Sequence, residues 1–179
     1  MKLPKIYKDN DVDIELIKDE CVAIIGYGNQ GRAHALNLRD SGIDVRIGLR
    51  EGSVRRIEAS TEGFISLSIK EAVENCDIIS ILIPDQVMGE VYQKYIKSNM
   101  KEDQTLLFSH GYNIHYGVIQ PPEFINVVMA APSGAGTELR KRYTDGSGIP
   151  GLFAVHQDHS GDSEKIVLAY CRAIGITKS

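Results

Sequence analysis

At 179 residues, 42% hydrophobic and 25% charged, the chain can bury one core but leaves little room for a second domain of comparable size. A net charge of −4 gives no general attraction for nucleic acid or an anionic membrane; anion binding is left to local clusters such as Arg50, Arg55 and Arg56 or Arg140-Lys141-Arg142. Cys21, Cys76 and Cys171 are odd in number and far apart and suggest neither a disulfide framework nor a metal cluster, the amino terminus runs into charged residues, and the longest aliphatic run, 78–83, is too short to cross a bilayer, so a soluble cytoplasmic protein is expected.

The first twelve or so residues carry little core signal and are expected to form an arm or peripheral helix. A β-branched apolar run at 21–25 predicts the first strand, and it runs directly into Gly26-Tyr27-Gly28-Asn29-Gln30-Gly31, glycines spaced G-x-G-x-x-G. A helix over 32–41 sets Ala35, Leu36 and Leu38 on one face and stops at Gly42, a residue that tolerates the left-handed conformation of a helix end. A strand at 45–49 completes one βαβ unit. Ser68-Ile69-Lys70-Glu71 has the spacing of a capping box and predicts a helix toward Asn75, followed by a strand at 78–83 and, after Pro84, a helix over about 86–95. Further strands are predicted at 105–109, 125–130 and 151–155; Gly146-Ser147-Gly148-Ile149-Pro150 reads as a loop, and Asp162 or Ser163 as the cap of a last helix. The alternation predicts an α/β fold: a Rossmann-like, mostly parallel sheet with helices on both faces, forming a single domain over 1–179.

In a strand-turn-helix unit of this kind Gly26 allows the tight turn, Gly28 lets phosphates approach the backbone, and Gly31 lets the helix pack closely on its strand. Three glycines also occur in ordinary turns, but the apolar run before them and the helix after them supply the context that the motif requires. NAD-type sites usually carry an acidic residue at the end of the second strand; here that place holds Arg50, 24 positions after Gly26, followed by Gly52, Ser53, Arg55 and Arg56 in one loop. A guanidinium can grip a ribose 2′-phosphate in bidentate fashion, and Ser53 adds a neutral donor, so NADPH is favoured over NADH. Glu51 is the rival, since a carboxylate one position on can reach a 2′-hydroxyl and repels a phosphate; a plain solvated turn is the bland alternative.

For chemistry, Ser109-His110-Gly111-Tyr112-Asn113 sets His110 at a strand's carboxyl end, where ligands of open α/β sheets gather; position alone equally fits a solvated turn. Pro84-Asp85-Gln86-Val87-Met88 occupies the same end of a neighbouring strand, where its bland role is to start a helix. Ala131-Pro132-Ser133-Gly134-Ala135-Gly136-Thr137 is a third loop, and Ser133 has no base beside it in sequence. No metal-binding motif is recognised, so hydride transfer is better supported than a metal-assisted step.

Taken together, Val22-Ala23-Ile24-Ile25-Gly26-Tyr27-Gly28-Asn29-Gln30-Gly31, Ala33-His34-Ala35-Leu36-Asn37-Leu38-Arg39-Asp40-Ser41-Gly42, Gly48-Leu49-Arg50-Glu51-Gly52-Ser53, Pro84-Asp85-Gln86-Val87, Ser109-His110-Gly111-Tyr112-Asn113-Ile114-His115 and Ala154-Val155-His156-Gln157-Asp158 resemble the amino-terminal domain of ketol-acid reductoisomerases over nearly the whole chain. The resemblance implies NADP(H) as cofactor, with the pyrophosphate at Tyr27, Gly28, Asn29 and Gln30, the 2′-phosphate at Arg50 and Ser53, and other cofactor contacts at Asp85, Gln86, Val87, Met88 and Gly136. It implies His110 as the active-site histidine, and Arg55 where many members carry a second phosphate-binding serine. The family reaction is an alkyl migration and NADPH reduction turning acetohydroxy acids into dihydroxy acids of branched-chain amino-acid synthesis, with Mg²⁺ held by carboxylates of a helical, knotted second domain. Two departures stand out. Members usually read A-P-K-G-P-G-H where this chain has Ser133 for the lysine and Thr137 for the histidine, and the chain ends at Ser179, about where the helical domain begins. The resemblance therefore implies a cofactor-binding domain, inactive alone, that associates with a helical partner or with itself. A non-catalytic NADPH-binding module and a small stand-alone reductase are the other readings.

Overall fold

The structure, a computed structural model, describes residues 5–178. Its strands are β1 (Cys21–Ile25), β2 (Asp44–Gly48), β3 (Ile65–Leu67), β4 (Ile78–Ile81), β5 (Thr105–Phe108), β6 (Asn126–Pro132) and β7 (Gly151–Gln157), in one sheet of order β3-β2-β1-β4-β5-β6-β7. All neighbours pair in parallel except β7, which runs antiparallel to β6 at the edge. The helices are α1 (Asn29–Asp40), α2 (Arg55–Thr61), α3 (Ile69–Asn75), α4 (Asp85–Val91), α5 (Tyr112–His115), α6 (Gly136–Thr144) and α7 (Ser163–Ile174).

Side chains alternate across a strand, so each face of β1 feeds a different core. Val22 and Ile24 pack with Leu36 and Leu38 of α1, Leu139 of α6 and Val167 of α7; Ala23 and Ile25 pack with Val73 of α3 and Met88 of α4. The expected α/β sheet with helices on both faces is therefore the observed one. The capping box also forms: Glu71 N–H donates to Ser68 Oγ (3.2 Å), and Ser68 N–H donates back to the Glu71 carboxylate (2.9 Å).

Several boundaries differ from the sequence reading. α1 starts three residues earlier, at Asn29, and β4 stops at Ile81. α4 starts at Asp85 and runs on as a π-helical turn, Tyr92–Ile96. α2, β3, α5 and α6 were not anticipated. Asp162 precedes α7 without capping it; its carboxylate is held by Lys165 (2.5 Å), and Ser163 N–H donates to Asp158 instead (3.1 Å). The arm lies on the β7 and α7 side of the molecule, with Tyr7 donating to Glu164 (2.5 Å) and meeting Phe153 edge-on, and Arg172 donating to the Val12 carbonyl; positions 1–4 fall outside the described residues.

The cysteine expectation is corrected. Cys21 and Cys76 are paired as a disulfide across the amino ends of β1 and β4, with Cα atoms 4.6 Å apart, while Cys171 is free and buried. Fifty-five positions separate the pair in sequence, and only the β1–β4 ladder, with Val22 opposite Ile78, brings them together.

Inside the first core, His34 Nδ1 and the Tyr170 hydroxyl are hydrogen-bonded at 2.9 Å, and the same hydroxyl is 3.1 Å from Ser80 Oγ of β4. Complete burial lowers the His34 pKa to about 3 from its usual 6.5, because the charged form would lose its hydration. Below pH 6.5 the unfolded chain takes up a proton that the folded chain refuses. The stability held by neutral His34 is thus full above pH 6.5 and falls as pH drops toward 3, by about 1.4 kcal/mol per unit. Urea denaturation at pH 7 and pH 5 should show the wild type losing about 2 kcal/mol more than His34→Gln; equal losses would contradict the assignment.

Candidate functional site

β1 and β4 are adjacent and parallel, but β1 leads through α1 to β2 on one side and β4 through α4 to β5 on the other. The crevice at their carboxyl ends is the topological switch point where doubly wound sheets seat ligands. Gly26 closes β1 with φ of 99°, and a Cβ there would lie 2.6 Å from Ile83 Cγ2 and 2.9 Å from the Leu82 carbonyl oxygen. A Cβ on Gly31 would overlap the Gly26 carbonyl oxygen, which is how α1 comes so close to its strand. Gly28 is different. It precedes α1, is exposed, and a Cβ there would meet nothing within 4 Å, so the first turn of the helix opens onto free space with N–H groups that have no intrahelical acceptor.

That space is a cleft of about 200 Å³ lined by Gly26, Tyr27, Gly28, Arg50, Ser53, Arg55 and Val87, with Leu82 and Ile83 of the β4 end and Ile69 of α3 as apolar walls. The walls were missed by the sequence reading, which took 78–83 as strand throughout; an aliphatic pair just before Pro84 is the signal that marks them. Glu51 is exposed and absent from this lining, but it shares a second, open hollow over the 50–55 loop with Arg50, Ser53 and Arg55.

The three arginines after β2 have different duties. Arg50 is exposed, and its guanidinium makes no hydrogen bond or ion pair among the described residues. Arg55 is held by Glu58 at 2.6 Å. Arg56 donates to the carbonyls of Leu49 (3.0 Å), Leu67 (3.1 Å) and Ser66 (3.3 Å), tying the ends of β2 and β3 together. Ser53 N–H donates to the Arg50 carbonyl (3.2 Å) and closes the turn. The Arg140-Lys141-Arg142 cluster is partly neutralised by neighbours, Arg140 by Asp40 (2.6 Å) and Arg142 by Glu138 (2.7 Å).

Tyr27 turns its side chain away from the glycine turn. Its hydroxyl donates to Glu62 (2.5 Å), which also accepts from Arg32 Nε (3.0 Å), and its ring meets Phe64 edge-on. Burial first, and then the Glu62 carboxylate, push the phenol far above its ordinary pKa, while the Arg32 hydrogen bonds hold Glu62 below the usual carboxylate value. Gln30 likewise faces inward, its Nε2 donating to the Gly134 carbonyl (2.9 Å). Gly136 starts α6 directly behind α1: a Cβ there would overlap the Asn29 carbonyl oxygen and lie 2.9 Å from Gln30 N. Its visible role is helix contact.

At the neighbouring loops, His110 is exposed; its Nδ1 accepts from Tyr112 N–H (3.2 Å) and lies 3.6 Å from Asp85 Oδ2. Buried Asn113, not singled out from the sequence, donates to Asp85 Oδ1 (3.0 Å) and to the Met88 sulfur (3.3 Å). The Met88 side chain belongs to the second core, whereas Gln86 is exposed. His34 is a core residue, and His115 and His156 line a separate apolar hollow of about 360 Å³ between α5 and the β6–β7 edge. Ser133 is exposed, with its N–H bonded to the Pro150 carbonyl (2.9 Å). Among the described residues no three His, Cys, Asp or Glu side chains gather to hold a metal ion, so the implied Mg²⁺ carboxylates are not supplied here. No helix among them is long and apolar enough to cross a membrane.

Fold and cleft together define a doubly wound dinucleotide-binding domain. Positions 16–179 match the family described as acetohydroxy acid isomeroreductase, NADPH-binding domain. The chain is 50% identical over 177 residues to a protein of Methanopyrus kandleri named ketol-acid reductoisomerase (NADP(+)), and 48% identical over 177 residues to one of that name from Clostridioides difficile; each alignment covers 99% of this chain and 54% of the relative. A solved NADH-preferring ketol-acid reductoisomerase from an uncultured archaeon superimposes with a TM-score of 0.95 at 42% identity, covering 98% of this chain and 54% of that one. The chain belongs to the ketol-acid reductoisomerase family, as its NADPH-binding domain. It spans about half the length of the curated relatives it matches.

The glycines separate packing from binding. Gly31→Ala should cost more than about 2 kcal/mol in urea denaturation through overpacking. Gly28→Ala should cost at most about 1 kcal/mol while still crowding the pyrophosphate and weakening dinucleotide binding. Equal stability losses in the two variants would contradict this division.

Proposed function

We propose that this chain is the NADPH-docking part of a ketol-acid reductoisomerase. The observation that carries the reading is one cleft holding both the open first turn of α1 at Gly28 and the unpaired Arg50 guanidinium. The N–H groups of Gly28, Asn29 and Gln30 take the pyrophosphate through backbone, since Tyr27 and Gln30 turn their side chains inward. Arg50, Ser53 and Arg55, which line the cleft together, take the 2′-phosphate, two guanidinium groups and a hydroxyl outweighing the single Glu51 carboxylate of the same loop. Val87 packs against the bound cofactor, and Asp85, Gln86, Met88 and Gly136 shape its surroundings, the last two chiefly through packing and backbone.

When bound, NADPH supplies the hydride of the family reaction. His110 orients substrate or moves a proton beside it, steadied by the Tyr112 N–H, which donates to its Nδ1. Alkyl migration in acetohydroxy acids needs a Lewis acid to polarise the ketone, and the described residues gather no ligand set for one. Positions 1–179 thus act as an NADP(H)-binding domain that depends on a helical, metal-holding partner domain for turnover. A non-catalytic NADPH-binding module is the second reading, favoured by Ser133, which offers no ammonium where the family usually has one.

Arg50→Ala should weaken NADPH binding about 10- to 100-fold in calorimetric titration and change NADH binding less than about twofold, the loss expected for one charge-assisted contact. Equal effects on both nucleotides would remove the 2′-phosphate assignment. In a Mg²⁺-dependent acetohydroxy-acid assay the chain alone should show no turnover, and turnover would overturn its dependence on a partner.

A further inference from the structure

Glu58 sits on α2 three residues after Arg55, and its Oε2 is 2.6 Å from the Arg55 guanidinium. Its other oxygen lies 3.8 Å from Arg32 Nε, but Arg32 is already held by Glu62, so Glu58 has Arg55 as its close partner. Arg55 lines the cleft together with Arg50 and Ser53. Of the three cations after β2, then, one is unpaired, one is bound to backbone carbonyls, and the third carries a carboxylate where a phosphate would sit.

On the reading above that this loop receives the 2′-phosphate, we propose that Glu58 is a specificity-determining residue that competes with the phosphate for Arg55 and thereby narrows the preference for NADPH over NADH. The physics is that of exchange: the phosphate must displace a carboxylate from the guanidinium and remain near that carboxylate afterward, and both costs fall on NADPH alone. NADH, with a neutral 2′-hydroxyl, meets neither. Glu58 acts through Arg55 and by repulsion; it is not a contact of either nucleotide. Its pair with Arg55 is half-exposed, so the competition is modest in size.

Calorimetric titration of the 179-residue chain with NADPH and NADH tests this in wild type, Glu58→Gln, Arg55→Ala and the double variant. Glu58→Gln keeps the shape of the side chain and should tighten NADPH about three- to fivefold while leaving NADH unchanged, and the gain should shrink in the Arg55→Ala background. Unfolding midpoints of all four proteins separate binding effects from loss of fold, and Glu58→Ala serves as a second variant if Glu58→Gln is unstable. NADPH binding that is unchanged or weaker in the Glu58 variant overturns the proposal while leaving the 2′-phosphate site standing. Failure of wild type to bind NADPH removes that site and the proposal with it.

Discussion

The close approach of α1 to the carboxyl end of β1 governs the rest of the molecule. Gly31 lies against the Gly26 carbonyl oxygen with no room for a methyl group, Gly26 lies against Leu82 and Ile83 of the neighbouring strand end, and Gly136 brings α6 equally close to Asn29. Three missing side chains therefore let two helices and two strand ends converge on a few ångströms of backbone. Because the backbone is bare at that point, the first turn of α1 meets the cleft with its N–H groups uncovered, and the helix dipole favours an anion there. The packing constraint and the binding capacity are one feature seen from two sides.

Around this point the charged residues are sorted by whether they are already used. Arg56 is consumed in tying β2 to β3, Arg32 in holding Glu62 and through it Tyr27, and Arg140 in joining α6 to α1. Arg50 is left without a partner at the mouth of the cleft. A chain of net charge −4 can in this way present a local cation to a phosphate without any general attraction for polyanions. A relative named as NADH-preferring superimposes on this domain with a TM-score of 0.95, so the backbone scaffold alone is no guide to cofactor choice.

Much of this was legible in the sequence because it rests on local rules. The strands at 21–25, 105–109 and 125–130 announce themselves as short apolar runs, buried over most of their length, and the capping box at Ser68 and Glu71 is a fixed spacing. What escaped notice depends on tertiary contact. β3 is a three-residue edge strand with an exposed Ile65, too short to show periodicity, and α6 has four charged residues at Glu138, Arg140, Lys141 and Arg142 with Leu139 as its fully buried side chain. The Cys21–Cys76 pairing needs the β1–β4 register, which no spacing reveals. Within the site, the glycines and Arg50 were readable from motif geometry, whereas the inward turn of Tyr27 follows from Glu62, thirty-five positions away. The division of labour among three arginines likewise follows from their partners and not from their order in the chain.

The central claim is a matter of place: NADPH docks at the β1–β4 switch point with its pyrophosphate on the start of α1 and its 2′-phosphate on the loop after β2. Amide chemical-shift mapping of the ¹⁵N-labelled chain during an NADPH titration addresses it most directly. The account predicts the largest shifts at positions 26–31 and 50–55, with the second group largely silent when NADH replaces NADPH. Shifts centred instead on the hollow at the β6–β7 edge, or the same response of 50–55 to both nucleotides, would contradict it.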